Sequence, residues 1–128
     1  MTSQQQQPTG TVNGIDLAVV QETVEALREQ AELSRSKFRV SNKWVAACHN
    51  QTQVNDFHAG GEEHAHREPY ELHADEPPML GGQDQAPNPV EHLLNALAGC
   101  LTTSLVAHAA VRGIQLDEVE SQIEGDID

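Results

Sequence analysis

Two cysteines and seven histidines are the residues of this chain best suited to chemistry. Cys100 stands in the middle of PNPVEHLLNALAGCLTTSLVAHAAVRGI, the most apolar stretch of an otherwise polar, acidic sequence. A thiolate is a nucleophile that peroxides oxidise to sulfenic acid, so a cysteine here is a candidate redox centre. The plainer role is packing, because free cysteine behaves as a small buried hydrophobe. Ala96, Ala98 and Gly99 leave backbone room before the thiol, and Thr102, Thr103 and Ser104 place hydroxyls after it. Activation is the difficulty. Cys100 falls about ten residues into its helix, ~15 Å from the N-terminus, and the helix dipole acts only within the first turn. Arg112 is about 18 Å further along the same axis. A cation from another element or subunit is required, and Arg35, Arg39 and Arg67 are the candidates.

The other clusters point to less. His58, His64, His66 and His73 gather near Glu62 and Glu63. In a strand, the His-Ala-His spacing would put two imidazoles on one face, but no third ligand is fixed, and the segment reads as a solvated loop. No metal and no bound cofactor is expected. Cys48 and Cys100 are far apart, with no Cys-x-x-Cys spacing, so neither a disulfide framework nor a zinc motif is indicated. Cys48 is assigned to strand packing. No phosphate-binding glycine loop and no Ser-His-Asp order is present.

These residues must be positioned by 128 residues with a formal net charge of −13. That length suits one domain with a real core. Such a surface repels phosphate backbones and anionic lipids, so nucleic-acid and membrane partners are not expected. No apolar run approaches the ~20 residues of a membrane helix. The N-terminus lacks the basic and apolar regions of a signal peptide, and a reducing cytoplasm is the expected compartment. Phe38, Trp44, Phe57 and Tyr70 are the four aromatics. The core should therefore be aliphatic, with much of it supplied by the Cys100 helix.

Residues 1–12 form a Gln-rich polar lead, expected to be disordered. Val20, Val24, Leu27 and Ala31 share one face of a helix predicted over 15–33, with Asn13-Gly14 and Asp16 at its start. Alternation around Phe38, Val40, Trp44, Ala46, Cys48, Thr52 and Val54 predicts two strands with a turn near Ser41-Asn42. DFHAGGEEHAHREP reads as a loop with a Gly-Gly tip, YELHA as a short strand, and DEPPMLGGQDQAPNP as a long loop. A helix over 90–112 follows, with Asn88 as cap, Pro89 at its first position and Gly113 at its end. Apolar residues occupy so much of its circumference that it should be central and buried. Val119, Ser121, Ile123, Gly125 and Ile127 alternate with acidic and amide residues, predicting a half-buried strand to the last residue. A chain ending inside such a strand is expected to be truncated.

The helix motif PNPVEHLLNALAGCLTTSL resembles the central-helix signature of the OsmC/Ohr family of thiol-dependent peroxidases, which reduce organic hydroperoxides. VNGID, FRVSNKWV, EPYELHADEPPMLGGQDQAPNPVE and RGIQLDEVESQIEGDID resemble the OsmC-like subgroup with an extra N-terminal helix. The resemblance implies an α+β fold, an antiparallel sheet with a long buried central helix, in an intertwined homodimer. It covers most of residues 12–128, so this chain would hold the N-terminal portion of the domain. It gives Cys100 the peroxidatic role, with an external dithiol as reductant. Val90 stands where the peroxidase subgroups carry a glutamate, and Glu91, one residue on, is the candidate to orient an arginine. Leu93, Leu97 and Leu101 would line the site and favour lipid-like or aryl hydroperoxides. The family's resolving cysteine lies on a later helix that this sequence does not contain. Two further readings stand beside the enzyme: a non-catalytic OsmC-fold protein binding a small apolar ligand, and an inactive fragment.

Overall fold

The computed structural model describes residues 8–128. Of the lead expected over 1–12, residues 1–7 lie outside the described residues, and its end is a strand. Thr11–Val12 (β1) pairs antiparallel with Ile15–Asp16 (β2). Asn13 and Gly14 join them at φ 52° and 77°, the doubly left-handed turn that Asn-Gly favours between strands. The pair read as a helix start is thus a hairpin turn. Asp16 does cap the helix, its Oδ1 accepting the Ala18 N–H at 3.0 Å. That helix, α1, is Leu17–Glu29, shorter than the predicted 15–33. Gln30 is extended, and Ala31–Ser34 form a separate 3-10 turn. Continuing α1 would stack Glu25, Glu29 and Glu32 at like-charge spacings, which is unfavourable.

The chain forms two compact units, residues 1–29 with 96–128, and residues 30–95. In the first, Val12, Leu17 and Ala110 make a small buried cluster with Ile15 against it. Asn13 ties this unit together: its Nδ2 donates to the Ile114 carbonyl at 2.8 Å and its Oδ1 accepts the Leu116 N–H at 2.9 Å.

The second unit is an antiparallel sheet of Lys37–Phe38 (β3), Ser41–Ala46 (β4), His49–Ala59 (β5) and Glu62–Ala74 (β6). The long β5 pairs with all three others. The segment read as a Gly-Gly loop is therefore a long hairpin. Its tip was legible: Gly60 and Gly61 both have positive φ, 60° and 81°. The β4–β5 turn falls at Ala47-Cys48 rather than at Ser41-Asn42, so Cys48 lies in a turn and not in a strand.

Cross-strand pairing explains why the hairpin forms. Phe57 faces Phe38 and His64, and the rings stack at 5.7 and 5.2 Å. His66 reaches the same Phe57 ring at 5.1 Å and meets Tyr70 at 5.0 Å. The His-Ala-His imidazoles are thus packed on aromatic faces, contacts that stabilise a strand pair. Arg39 donates to Asp56 at 3.0 Å and also to Glu63. Its guanidinium holds the Glu63 carboxyl below the ordinary carboxylate value.

After β6 the chain turns through 75–87 around one side chain. Asp75 is 1 % exposed. Its carboxylate accepts the N–H groups of Glu76 at 2.8 Å, Gln83 at 3.2 Å and Gln85 at 3.2 Å. Burial pushes its pKa up, but these three donors and nearby His49 outweigh that and hold it below its ordinary value. A depressed carboxylate stabilises the fold above the unfolded-state pKa of about 3.9 and loses that contribution as pH falls through the lower folded value. Asp75→Asn is therefore expected to lower the urea midpoint at pH 7 and to flatten the loss of stability below about pH 4, as read by urea titrations at the two ends.

The second helix, α2, is Pro89–Val111 and 23 residues long. By length and composition it is long and apolar enough to cross a membrane, although no unbroken apolar run in the sequence has that length. The expectation of a buried central helix is not met within this chain. Only Ala109 and Ala110 are buried, while Leu93 is 69 % and Leu97 49 % exposed. The helix periodicity is correct, but the described residues supply no element to cover that stripe. The same cause removes the predicted C-terminal strand. Residues 115–128 are irregular, because an alternating segment forms a strand only against a partner, and among the described residues none pairs with it.

Candidate functional site

α2 is started and stopped by its own sequence. The Asn88 Oδ1 accepts the Glu91 N–H at 2.8 Å, and the Glu91 Oε1 accepts the Asn88 N–H at 2.9 Å. This is a reciprocal capping box, satisfying two of the donors a helix start leaves free. At the other end Gly113, at φ 69°, lets its N–H reach the Ala110 carbonyl and the Ile114 N–H reach that of Ala109. The expected cap and stop are both present.

Glu91 is the residue expected to orient an arginine. Among the described residues no arginine pairs with it; its carboxylate oxygen is engaged by the Asn88 backbone. Asn88→Ala is expected to destabilise the fold by about 1 kcal/mol, and Glu91→Gln, which keeps an acceptor, by less. Chemical denaturation of the two variants checks this ordering.

Cys100 is a free, exposed thiol. Leu97 and Leu101 lie one helical turn apart on the same face, and Leu93 continues the row toward the helix start. All three are exposed. The thiol is thus bordered by an open apolar stripe. The other thiol differs: Cys48 is half-buried, and its Sγ lies 3.7 Å from the Leu80 carbonyl oxygen. Of the candidate arginines Arg35, Arg39 and Arg67, Arg39 is committed to Asp56 and Glu63; Arg112, set aside for its distance, donates to the His108 carbonyl at 3.1 Å.

One polar cluster was missed in the sequence. The His73 Nε2 lies 2.7 Å from the Glu71 Oε1, and its Nδ1 lies 2.8 Å from the His49 Nε2. An ionised carboxylate only accepts, so His73 donates to Glu71 and accepts from His49. Glu71 and His73 were findable, since residues two apart in YELHA share a face. His49 joins them only through the β5–β6 register, which the sequence does not display. His92, in the first turn of α2, has its Nε2 2.7 Å from the His73 carbonyl. Among the described residues no group of three or more His, Cys, Asp or Glu side chains is placed to hold a metal ion.

The comparison with curated proteins returned no match. Residues 82–128, which contain all of α2 with its capping box, Cys100 and the irregular tail, match the family model for OsmC-like protein. The helix motif from which the resemblance was drawn lies inside that stretch, and the antiparallel sheets with two helices make an α+β architecture. Motif, match and architecture together make the chain consistent with an OsmC family member.

Proposed function

We propose that this chain carries the peroxidatic centre of an OsmC-type thiol-dependent peroxidase, acting on organic hydroperoxides as a cytoplasmic homodimer. The observation that supports it best is the free, exposed Cys100 beside a leucine stripe, on the helix inside the matched stretch. The Cys100 thiolate attacks the terminal oxygen of ROOH. The S–O bond forms, the O–O bond breaks, and the alkoxide takes a proton and leaves as ROH. The sulfur, oxidised by two electrons, is left as a sulfenic acid. A dithiol then returns it to the thiol: its first sulfur displaces water, and its second releases Cys100 while closing the reductant's own disulfide.

Lipid-like and aryl hydroperoxides fit the proposal better than hydrogen peroxide, because Leu93, Leu97 and Leu101 offer apolar contact. The second subunit would cover this stripe and bring the activating arginine that α2 itself does not supply. The reduced protein is treated with one equivalent of cumene hydroperoxide and a sulfenic-acid trap, and the adduct is located by peptide mass spectrometry. Rapid labelling of Cys100 and not of Cys48 is the expected result. Equal or absent labelling of the two thiols removes the peroxidatic assignment, and the apolar helix face would then support the non-catalytic reading, in which a small apolar ligand binds beside an inert Cys100.

A further inference from the structure

A second candidate site lies away from Cys100, in the sheet unit. A cleft of about 270 Å³ opens between one face of β5–β6 and the first turn of α2. Asn50, Thr52, Leu72, Ala74, Pro89 and His92 line it, with the His73 backbone. Register explains the grouping: Asn50 faces Ala74 and Thr52 faces Leu72 across the strands, so all four share one side of the sheet. The Glu71–His73–His49 chain belongs to the other side.

The hydrogen-bond inventory leaves two groups in this cleft to be satisfied. The His73 carbonyl can only accept, so the His92 Nε2 at 2.7 Å must carry the hydrogen. In the neutral ring Nδ1 is then a bare acceptor. The Asn42 Nδ2 donates to the Asn50 Oδ1 at 2.8 Å and to the Thr52 Oγ1 at 2.9 Å. The Asn50 Nδ2 donates to the Cys48 carbonyl at 3.1 Å. The Asn50 amide is thereby held at both its oxygen and its nitrogen, and the Thr52 hydroxyl, having accepted, keeps its hydrogen to give. Among the described residues nothing takes that hydrogen or donates to the His92 Nδ1. The cleft therefore pairs one acceptor and one donor with an apolar lining from Leu72, Ala74 and Pro89.

We propose that this cleft binds a small neutral alcohol, whose hydroxyl donates to the His92 Nδ1 and accepts from Thr52 while its hydrocarbon body lies on Leu72, Ala74 and Pro89. A hydroxyl can donate and accept, matching both groups, whereas a ketone only accepts and matches Thr52 alone, and a carboxylate would meet the His92 lone pair. The volume sits below that of sites for drug-sized ligands, which selects a body of about one six-membered ring.

The probe is cyclohexanol, with cyclohexanone as the partner lacking the donor. Binding is followed by the Leu72 and Ala74 methyl resonances. Cyclohexanol should shift both methyls saturably, and cyclohexanone should bind about 3- to 10-fold more weakly, the value of one hydrogen bond. Thr52→Val should weaken cyclohexanol by a similar factor and Thr52→Ser should restore it. In His92→Leu the alcohol-to-ketone preference should vanish, and Ala74→Leu should fill the cleft and end binding. Unchanged β4–β6 amide resonances in each variant show that the sheet is intact. Equal binding of alcohol and ketone, no effect of Thr52→Val, or no methyl shift at the solubility limit would overturn the assignment. Cys100 takes part in none of these readouts, so the result is independent of the peroxidase proposal.

Discussion

Replacing Cys100 with serine is expected to lower dithiol-dependent reduction of cumene hydroperoxide at least about a thousandfold, to the uncatalysed rate. The same change at Cys48 should leave turnover near that of the parent. A serine hydroxyl is the same shape as a thiol to within one atom's size, but it is hardly ionised at neutral pH and cannot accept an oxygen and return it. Both substitutions are structurally mild, for different reasons. Cys100 is exposed on a helix face and contributes no buried contact to its unit. Cys48 sits in a two-residue turn against the Leu80 carbonyl, where a serine hydroxyl can make the contact that the thiol makes weakly. Peroxidase assays on the two variants, with circular dichroism to show unchanged folding, separate chemistry from packing. Equal activity in Cys100→Ser and the parent would remove the enzyme reading altogether.

Local signals were read well wherever the interaction that forms an element is itself local. Asp16 caps α1, Asn88 and Glu91 cap α2, and Gly113 stops it, because each of these contacts spans at most a few residues. Asn13-Gly14 shows how a local signal misleads: the dipeptide suits a hairpin turn better than a helix start, and the strands beside it are only two residues each. The end of β5 and the first half of β6 were read as a loop because they are polar. Asp56, His58, Glu62, Glu63 and Glu68 mask the alternation, and what holds the strands is the row of rings at Phe38, Phe57 and His64. That row exists only in register.

The candidate site divides along the same line. That Cys100 and the leucines share a helix was legible from the spacing and the motif. The work that Glu91 does was not, because a carboxylate three residues after an asparagine serves a cap as readily as it serves an arginine. Burial of α2 was misjudged for a related reason. Periodicity shows which face of a helix is apolar, but not whether the same chain covers it. The proposed homodimer supplies a cover, and with it a reason for a leucine stripe on so acidic a surface.

The largest structural effect is expected at Gly82. The segment 75–87 was read as a long proline-rich loop, and such loops ordinarily tolerate substitution. This one is wound tightly. Asp75 collects three backbone N–H groups, the Asp84 N–H reaches the Glu76 carbonyl at 3.1 Å, and the Asp75 N–H reaches the Pro87 carbonyl at 3.3 Å. Gly82 passes directly over the Glu76 backbone. A Cβ built on it would fall 2.7 Å from the Glu76 nitrogen and closer still to the carbonyl carbon and oxygen. Backbone cannot swing aside as a side chain can, so Gly82→Ala must unwind the coil around Asp75 and strand a buried carboxylate. A loss of about 3 kcal/mol or more is expected, in the range reserved for a named steric or unsatisfied-group defect. Gly81 provides the comparison. It has φ 89°, yet its added Cβ would lie at an ordinary 3.9 Å from the Cys48 Sγ. Gly81→Ala should therefore cost only the left-handed penalty, about 1–2 kcal/mol. Urea denaturation of the two alanine variants reads both values. A loss at Gly82 no greater than that at Gly81 would mean that the coil is loose in solution, and that α2 begins from a mobile segment rather than from a fixed one.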